Sequence, residues 1–239
     1  MTEPAPRFAL YWAPEAGTPL DRLGSTWLGR DARTGALLRQ PMVPGVSSSV
    51  IREITASPRR YGLHATLRAP FRLAPGCDPA RLERSIQSLA SVQRPFVTRL
   101  AVGELRDFVA LLPLNGHGAL TALERDCVEA MAGLAQAPGA EERARRLAGG
   151  LNDRQKALLE AHGYPFVLDE FRFHLSLCGR IQGALRERVG GWLAEALSAA
   201  RVDEVEVAAL GLFVEAAPGA PLRHVARFGF DGSVLRFGA

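Results

Sequence analysis

The chain reads as an α+β fold built from two similar halves that face each other across a central cleft. Three observations carry this reading. One short pattern occurs twice, as His64-Ala65-Thr66-Leu67 and His174-Leu175-Ser176-Leu177. Strand-like stretches alternate with amphipathic helical stretches along the whole chain. The order motif strand, helix, strand, strand also occurs twice, with His174 following His64 by 110 residues. A duplication of this kind sets equivalent strands across a pseudo-two-fold axis, so each half is expected to bring one imidazole to a shared site. Residues 1–239 are accordingly read as a single bilobal unit. One lobe spans about 60–135, a helical insertion about 136–163, and the second lobe about 166–232.

The elements follow in order. Arg7 to Ala13 alternates and carries aromatics, which predicts a first strand ended by Pro14. Residues 14–46 are rich in Gly and Pro and predict mainly loop, with one helical turn near Asp21 to Leu28. Ser48, the spacing Val50, Ile51 and Ile54, and then Pro58 predict a short capped helix. Tyr61 to Arg68 is the first motif strand. Asp78-Pro79 pairs an N-cap with a proline at the first helical position, and Leu82, Ile86, Leu89 and Val92 form one apolar face. Phe96 to Val102 and Asp107 to Leu114 are strand-like. Asn115-Gly116 turns into a helix through Leu120, Leu123, Cys127, Met131 and Leu134. Within the insertion, Asn152 with Gln155 resembles a capping box, and Gly163 is a C-terminal stop. Arg172 to Cys178 is the second motif strand. A helix with Ile181, Leu185, Val189, Leu193 and Ala196 inward comes next, then the runs Val205 to Val214 and Leu222 to Phe230.

Composition narrows the function classes. Hydrophobic residues make up 47% and charged residues 23% of the 239, as in an ordinary globular protein. No apolar run is long enough to span a membrane. Met1 to Arg7 lacks a basic stretch followed by an apolar one, so no secretory leader is expected and a cytoplasmic location is the default. Cys77, Cys127 and Cys178 are too few and too scattered for a disulfide framework or a zinc motif. A net charge of +4, almost all of it arginine (Lys156 is the sole lysine), suits an anionic ligand, because the guanidinium fork matches phosphate. The charge is dispersed, so an RNA partner is the less favoured one, and no obligate protein partner is indicated. Phosphate-loop, dinucleotide-binding and nucleophile-elbow patterns are all absent.

The paired motif carries the chemistry. A strand has period two, so residues i and i+2 share a face. Each copy therefore presents an imidazole beside a hydroxyl, His64 with Thr66 and His174 with Ser176. Leu63, Ala65 and Leu67, or Phe173, Leu175 and Leu177, then face the core. Two imidazoles, one neutral and one protonated, can activate water and protonate a leaving alkoxide near neutral pH. Two hydroxyls can hold the non-bridging oxygens of a phosphodiester in line. Arg68 and Arg172 are in phase with the histidines and are candidates to neutralise phosphate charge; Tyr164 is a candidate at the cleft rim. Tyr11 and Tyr61 read as packing residues, and His117 and His162 as surface. No metal-ligand spacing accompanies the histidines, and no cofactor is called for.

These residues resemble the two-histidine (2H) phosphoesterase superfamily, whose signature is two copies of H-x-[ST]-hydrophobic. The flanking Tyr61-Gly62-Leu63-His64-Ala65-Thr66-Leu67-Arg68-Ala69-Pro70-Phe71, Gly163-Tyr164-Pro165 and Asp169-Glu170-Phe171-Arg172-Phe173-His174 are similar to a bacterial branch found with phosphonate-degradation (carbon–phosphorus lyase) genes. Trp27-Leu28-Gly29-Arg30-Asp31 resembles the same branch. The resemblance implies antiparallel sheets lining a cleft with helices packed outside, and metal-independent chemistry on cyclic or 2′-phosphate esters. It matches His64 and His174 to the catalytic histidines, and Thr66 and Ser176 to the phosphate-binding hydroxyls. RNA-acting members often carry an Arg two residues after the second motif, where this chain has Gly179, with Arg180 one place later. The expected activity is hydrolysis of a small cyclic phosphodiester, a ribose cyclic phosphate of phosphonate catabolism on the resemblance. The alternatives are RNA-end processing, as a 2′,3′-cyclic phosphodiesterase or 2′-5′ RNA ligase, and a non-catalytic phosphate-ester or RNA-binding module.

Overall fold

A computed structural model describes residues 5–202 and 204–238. Residues 1–4, part of the stretch on which the absence of a leader was read, lie outside them. The described strands are β1 (Arg7–Trp12), β2 (Ala65–Phe71), β3 (Phe96–Leu105), β4 (Phe108–Pro113), β5 (Leu175–Ser176), β6 (Glu204–Val207), β7 (Ala209–Glu215), β8 (Arg223–Gly229) and β9 (Val234–Arg236). The described helices are α1 (Pro19–Leu28), α2 (Ser48–Ile54), α3 (Ala56–Arg59), α4 (Pro79–Val92), α5 (His117–Met131), α6 (Ala140–Leu147), α7 (Asp153–His162) and α8 (Gly183–Ala199).

All strand pairings are antiparallel, and they join into one nine-stranded sheet ordered β6-β3-β4-β5-β2-β1-β7-β8-β9. The run Val205 to Val214, expected as one strand, breaks at Ala208. Val207 pairs with Phe96 at one end of the sheet, and Ala209 pairs with Gly229 toward the other. Neighbouring residues can serve strands so far apart in the order only if the sheet curls back on itself, and it forms an α+β half-barrel. The two motif strands, β2 and β5, sit next to each other in the middle of the curl.

Period-two alternation divides the sheet into two faces. Phe8, Leu10, Trp12, Ala65, Leu67, Leu175 and Leu177 join the main core, with Leu82 and Ile86 of α4, Leu120 and Leu123 of α5, and Val189 and Leu193 of α8. Ala9, Tyr11 and Phe213 point the other way and form a small cluster of their own. The helices pack on the core face: α4 against β7 and β8, α5 against β2, and α8 against β3 and β4.

Caps account for the helix limits. Asp78 accepts from the Arg81 N–H at the start of α4, and Asn152 and Gln155 form a reciprocal capping box at α7, which Gly163 closes. Helix α1 is longer than the single turn expected. Thr18 caps it and Pro19 occupies its first turn, the same signature as Asp78-Pro79. At α2 the cap is Ser47 rather than Ser48. Pro58 lies inside α3, where it does not end a helix. Val92, expected on the inner face of α4, is its last residue and is 73% exposed.

The Trp27–Asp31 stretch ties distant pieces of the site together. Trp27 is fully buried, stacks on Trp192 with centroids 5.4 Å apart, and donates its Nε1–H to the Leu177 carbonyl at 2.6 Å. Arg30, also buried, donates to the Leu222 carbonyl at 2.7 Å and to the Arg60 carbonyl at 3.4 Å. Both ends of the sheet's centre are thereby anchored: the residue just past β5 and the turn just before β2.

Candidate active site

Both motif strands are shorter than the sequence predicts. β2 begins at Ala65, and β5 is two residues long, so each histidine sits one residue before its strand. One ladder pair, Ala65 with Leu175, joins the two copies. In an antiparallel register His64 then falls opposite Ser176, and Thr66 opposite His174. Ala65 and Leu175 are fully buried in the core, so the four polar side chains share the opposite face. Diagonal neighbours in such a ladder, as His64 and His174 are, lie about 7–8 Å apart.

The histidines are held in the same way. His64 donates Nδ1–H to the Gly62 carbonyl at 2.9 Å, and His174 donates Nδ1–H to the Arg172 carbonyl at 2.7 Å. A carbonyl only accepts, so the proton of each neutral ring is on Nδ1 and the Nε2 lone pair is free for chemistry. At His64 that lone pair accepts the Thr66 hydroxyl at 3.2 Å. His64 is stacked on Tyr11 (centroids 4.0 Å apart) and Tyr61 (5.6 Å), whereas His174 meets Phe108 at a tilt (5.7 Å). Burial lowers both pKa values. His64 falls to about 4, against the lift of the Gly62 bond and with a further push from His174. His174 is lowered from 6.5 by burial, partly opposed by the Arg172 carbonyl.

Gly62 is the hinge of this geometry. Its φ is +78°, and a Cβ there would lie 2.6 Å from the Ala32 Cβ. Gly62→Ala is expected to cost about 1–3 kcal/mol and lower Tm by roughly 2–12 °C. Gly76→Ala, also at positive φ (+79°) but facing open space, is expected to cost less, so thermal melts of the two variants separate clash from backbone strain.

A cavity of about 340 Å³ opens at the pair. Thr66 and His174 line it with Tyr164, Phe108, Phe166 and Phe171, and with the charged Arg106, Arg172, Glu124 and Glu170. Arg172 thus stands in this cavity, its guanidinium donating to the Phe171 carbonyl at 2.9 Å. Arg68 does not line it. The register shift between β1 and β2 and its contact with the His162 carbonyl (2.7 Å) turn it into a neighbouring cavity. Tyr164 lines both. Arg180, the residue nearest the position of the RNA-acting arginine, pairs outside with Asp107 at 3.0 Å.

Several contributors carry no pattern in the sequence. Tyr11 is 1% exposed and forms the floor under His64. Glu124 reads as an ordinary polar position of a helix, yet it is 1% exposed and accepts the Leu168 N–H at 3.1 Å. Burial pushes its carboxyl up to about 7, against the pull of Arg68, so it can donate a proton as well as accept one near neutrality. Arg106 reaches the cavity from the β3–β4 turn, where its φ is +57°. Among the described residues, no group of three or more His, Cys, Asp or Glu is placed to hold a metal ion, and no helix is long and apolar enough to cross a membrane.

The family model described as protein of unknown function (DUF1045) matches residues 66–223. The chain belongs to the DUF1045 family. The match takes in Thr66, the whole of the second motif and the elements between them. The chain is also 34% identical over 240 residues to a ribose 1,5-bisphosphate phosphokinase PhnN of Janthinobacterium sp. (strain Marseille), covering 97% of this chain and 52% of that protein. It is 36% identical over 220 residues to the protein of the same name from Laribacter hongkongensis (strain HLHK9), covering 91% and 50%. The chain thus spans about half the length of these curated relatives, which carry an enzyme's name.

Proposed function

We propose that this DUF1045 member is a 2H-type phosphodiesterase that opens a small cyclic phosphate ester, with His64 and His174 as its acid–base pair. The Ala65–Leu175 pairing is the observation that supports this reading, because it puts both imidazoles and both hydroxyls on one face of the sheet, where Thr66 and His174 line the cavity and His64 and Ser176 stand outside its lining. His64 is the more desolvated ring and stays neutral, so it serves as the base: its Nε2 takes a proton from water as the oxygen attacks phosphorus. His174 gives its Nε2 proton to the ring oxygen as the P–O bond breaks, leaving a phosphomonoester and a free hydroxyl. Thr66 and Ser176 hold the non-bridging oxygens. The relatives' printed name names a phosphorylated ribose, which supports a ribose cyclic phosphate as substrate and the phosphonate-catabolism setting implied by the sequence resemblance. This hydrolysis differs from the kinase reaction in that name, and it concerns the half of those proteins that the chain matches.

The test is a turnover assay with a chelator present, over ribose 1,2-cyclic and nucleoside 2′,3′-cyclic phosphates. Turnover of the ribose ester at the higher kcat/KM is expected. Loss of all turnover on chelation would count against a mechanism resting on two histidines.

The pH profile follows from the two pKa shifts. The base must be unprotonated, which holds above about pH 4, and the acid must be protonated, which holds below a value itself under 6.5. Since kcat/KM reports the free enzyme, it is expected to peak between those limits and fall tenfold per pH unit above them. The charge of bound phosphate favours imidazolium, so kcat should persist to higher pH. A kcat/KM plateau reaching pH 8 would assign the proton donor elsewhere.

A further inference from the structure

A phosphodiester is an anion, and charge grows on its non-bridging oxygens as water adds to phosphorus. The imidazoles and hydroxyls of the paired motif offer no permanent positive charge to meet it. Neither arginine in phase with the histidines is free to do so. Arg68 is turned into the neighbouring cavity, and Arg172 donates Nη1 to the Phe171 carbonyl at 2.9 Å and the Asp169 carbonyl at 3.5 Å. Arg106 is the remaining cation. It lines the cavity with Thr66 and His174, and its guanidinium lies over the Phe166 ring at 5.4 Å. The two carboxyls of the lining are engaged elsewhere, Glu124 with the Leu168 N–H and Glu170 with Gln155 at 2.9 Å. Among the described residues the Arg106 guanidinium therefore has no hydrogen-bond or ion-pair partner.

The backbone under Arg106 is the second observation. Leu105 pairs with Phe108, so Arg106 and Asp107 are the two central residues of a tight hairpin turn. Such turns take positive φ at their first central residue and favour glycine or asparagine there. Arg106 adopts φ +57° with a long side chain attached, which costs backbone energy. The turn is fixed in this state from the second motif. Ile181 N–H donates to the Asp107 carbonyl at 2.9 Å, Leu177 N–H donates to the Val109 carbonyl at 3.0 Å, and Phe108 meets the His174 ring at 5.7 Å. Strain of this kind persists only where the surroundings over-determine it, and it collects at functional sites. Here it delivers an unpaired guanidinium fork to the cavity, two residues from the ring that touches His174.

We propose that Arg106 is a catalytic residue whose guanidinium meets the non-bridging oxygens of the reacting phosphodiester and stabilises the charge that grows there as the water oxygen bonds to phosphorus. The inference rests on the phosphodiesterase reading. No bond to Arg106 forms or breaks, and it exchanges no proton. Its charge lasts through the whole step, whereas the imidazolium of His174 gives its proton to the leaving oxygen.

A matched pair of variants tests it. Arg106→Gly is expected to lower kcat/KM on a cyclic phosphodiester by about 10- to 100-fold. Its Tm should stay at or above the wild-type value, because glycine relieves the backbone strain. Arg201→Gly is the control: Arg201 also sits at positive φ (+53°), just after α8 and outside the cavity lining. It loses the same charge and the same strain, and its kcat/KM should stay within twofold of wild type. Arg106→Lys, which keeps the charge without the fork, should fall between Arg106→Gly and wild type. A kcat/KM for Arg106→Gly within threefold of wild type, or an equal loss in Arg201→Gly, would overturn the proposal. Calorimetry with inorganic phosphate separates this proposal from the reading beneath it. A wild-type chain that turns over no cyclic ester, yet binds phosphate about tenfold more tightly than Arg106→Gly and as tightly as Arg201→Gly, would uphold Arg106 as the oxyanion's contact and sink the phosphodiesterase reading instead.

Discussion

Substituting His174 by alanine is expected to lower kcat on a cyclic phosphodiester by about 10²–10⁴-fold while changing KM by less than about threefold. In the proposed mechanism the loss is in the proton delivered to the leaving oxygen, a contribution realised only in the transition state. His64→Ala should fall in the same range. The double variant should be little worse than the poorer single one, because base and acid act as a unit. Both rings are only partly buried, so circular dichroism and melting curves of the variants should stay close to wild type and separate lost chemistry from lost fold. A chain that merely holds phosphate esters would show the opposite: ligand affinity carried largely by these rings, and no turnover to lose. Single variants keeping more than a tenth of wild-type kcat would remove the histidines from the mechanism.

Trp27→Ala is expected to have the largest effect on stability. The indole is fully buried and stacked on Trp192, and emptying such a site costs about 3–5 kcal/mol. For a chain of this size that corresponds to a Tm fall of roughly 6–20 °C. Trp27→Phe keeps much of the packing but strands the Leu177 carbonyl, at about 1–3 kcal/mol. Leu177 follows Ser176 directly, so the Phe variant should also lower activity, through a loosened β5, more than its melting point alone would suggest. A fall of under 3 °C for Trp27→Ala would show that the indole is not a keystone of the fold.

Helices were legible wherever a cap and a face agreed. Asp78-Pro79 with Leu82 and Ile86, and Asn152 with Gln155, each set a boundary by local chemistry that tertiary packing had no reason to override. The Thr18-Pro19 signature was there too, but the glycines and prolines around it masked a helix of ten residues. Strands were harder, because pairing partners are far away in sequence. Nothing in Val205 to Val214 tells one strand from two that serve different edges. Nothing in Arg172 to Cys178 reveals that only Leu175 and Ser176 find ladder partners. That the two imidazoles and two hydroxyls share a face was legible because they recur at a fixed spacing. Tyr11, Arg106 and Glu124 were not, since each is a lone residue whose role comes from the curl of the sheet. Arg68 shows the limit of phase arguments: a shift in register beside it sends its guanidinium into the adjoining cavity.

The strand order has a kinetic corollary. β1 waits for a partner some two hundred residues downstream, and the seam between the two motifs joins segments separated by nearly half the polypeptide. Contact order that high makes folding slow and leaves little for a nascent chain to complete on the ribosome. The seam between β2 and β5 is therefore among the last parts to assemble, after the helices, whose contacts are local, have formed. Aggregation from sheet edges exposed in that interval is the hazard such a topology must outrun.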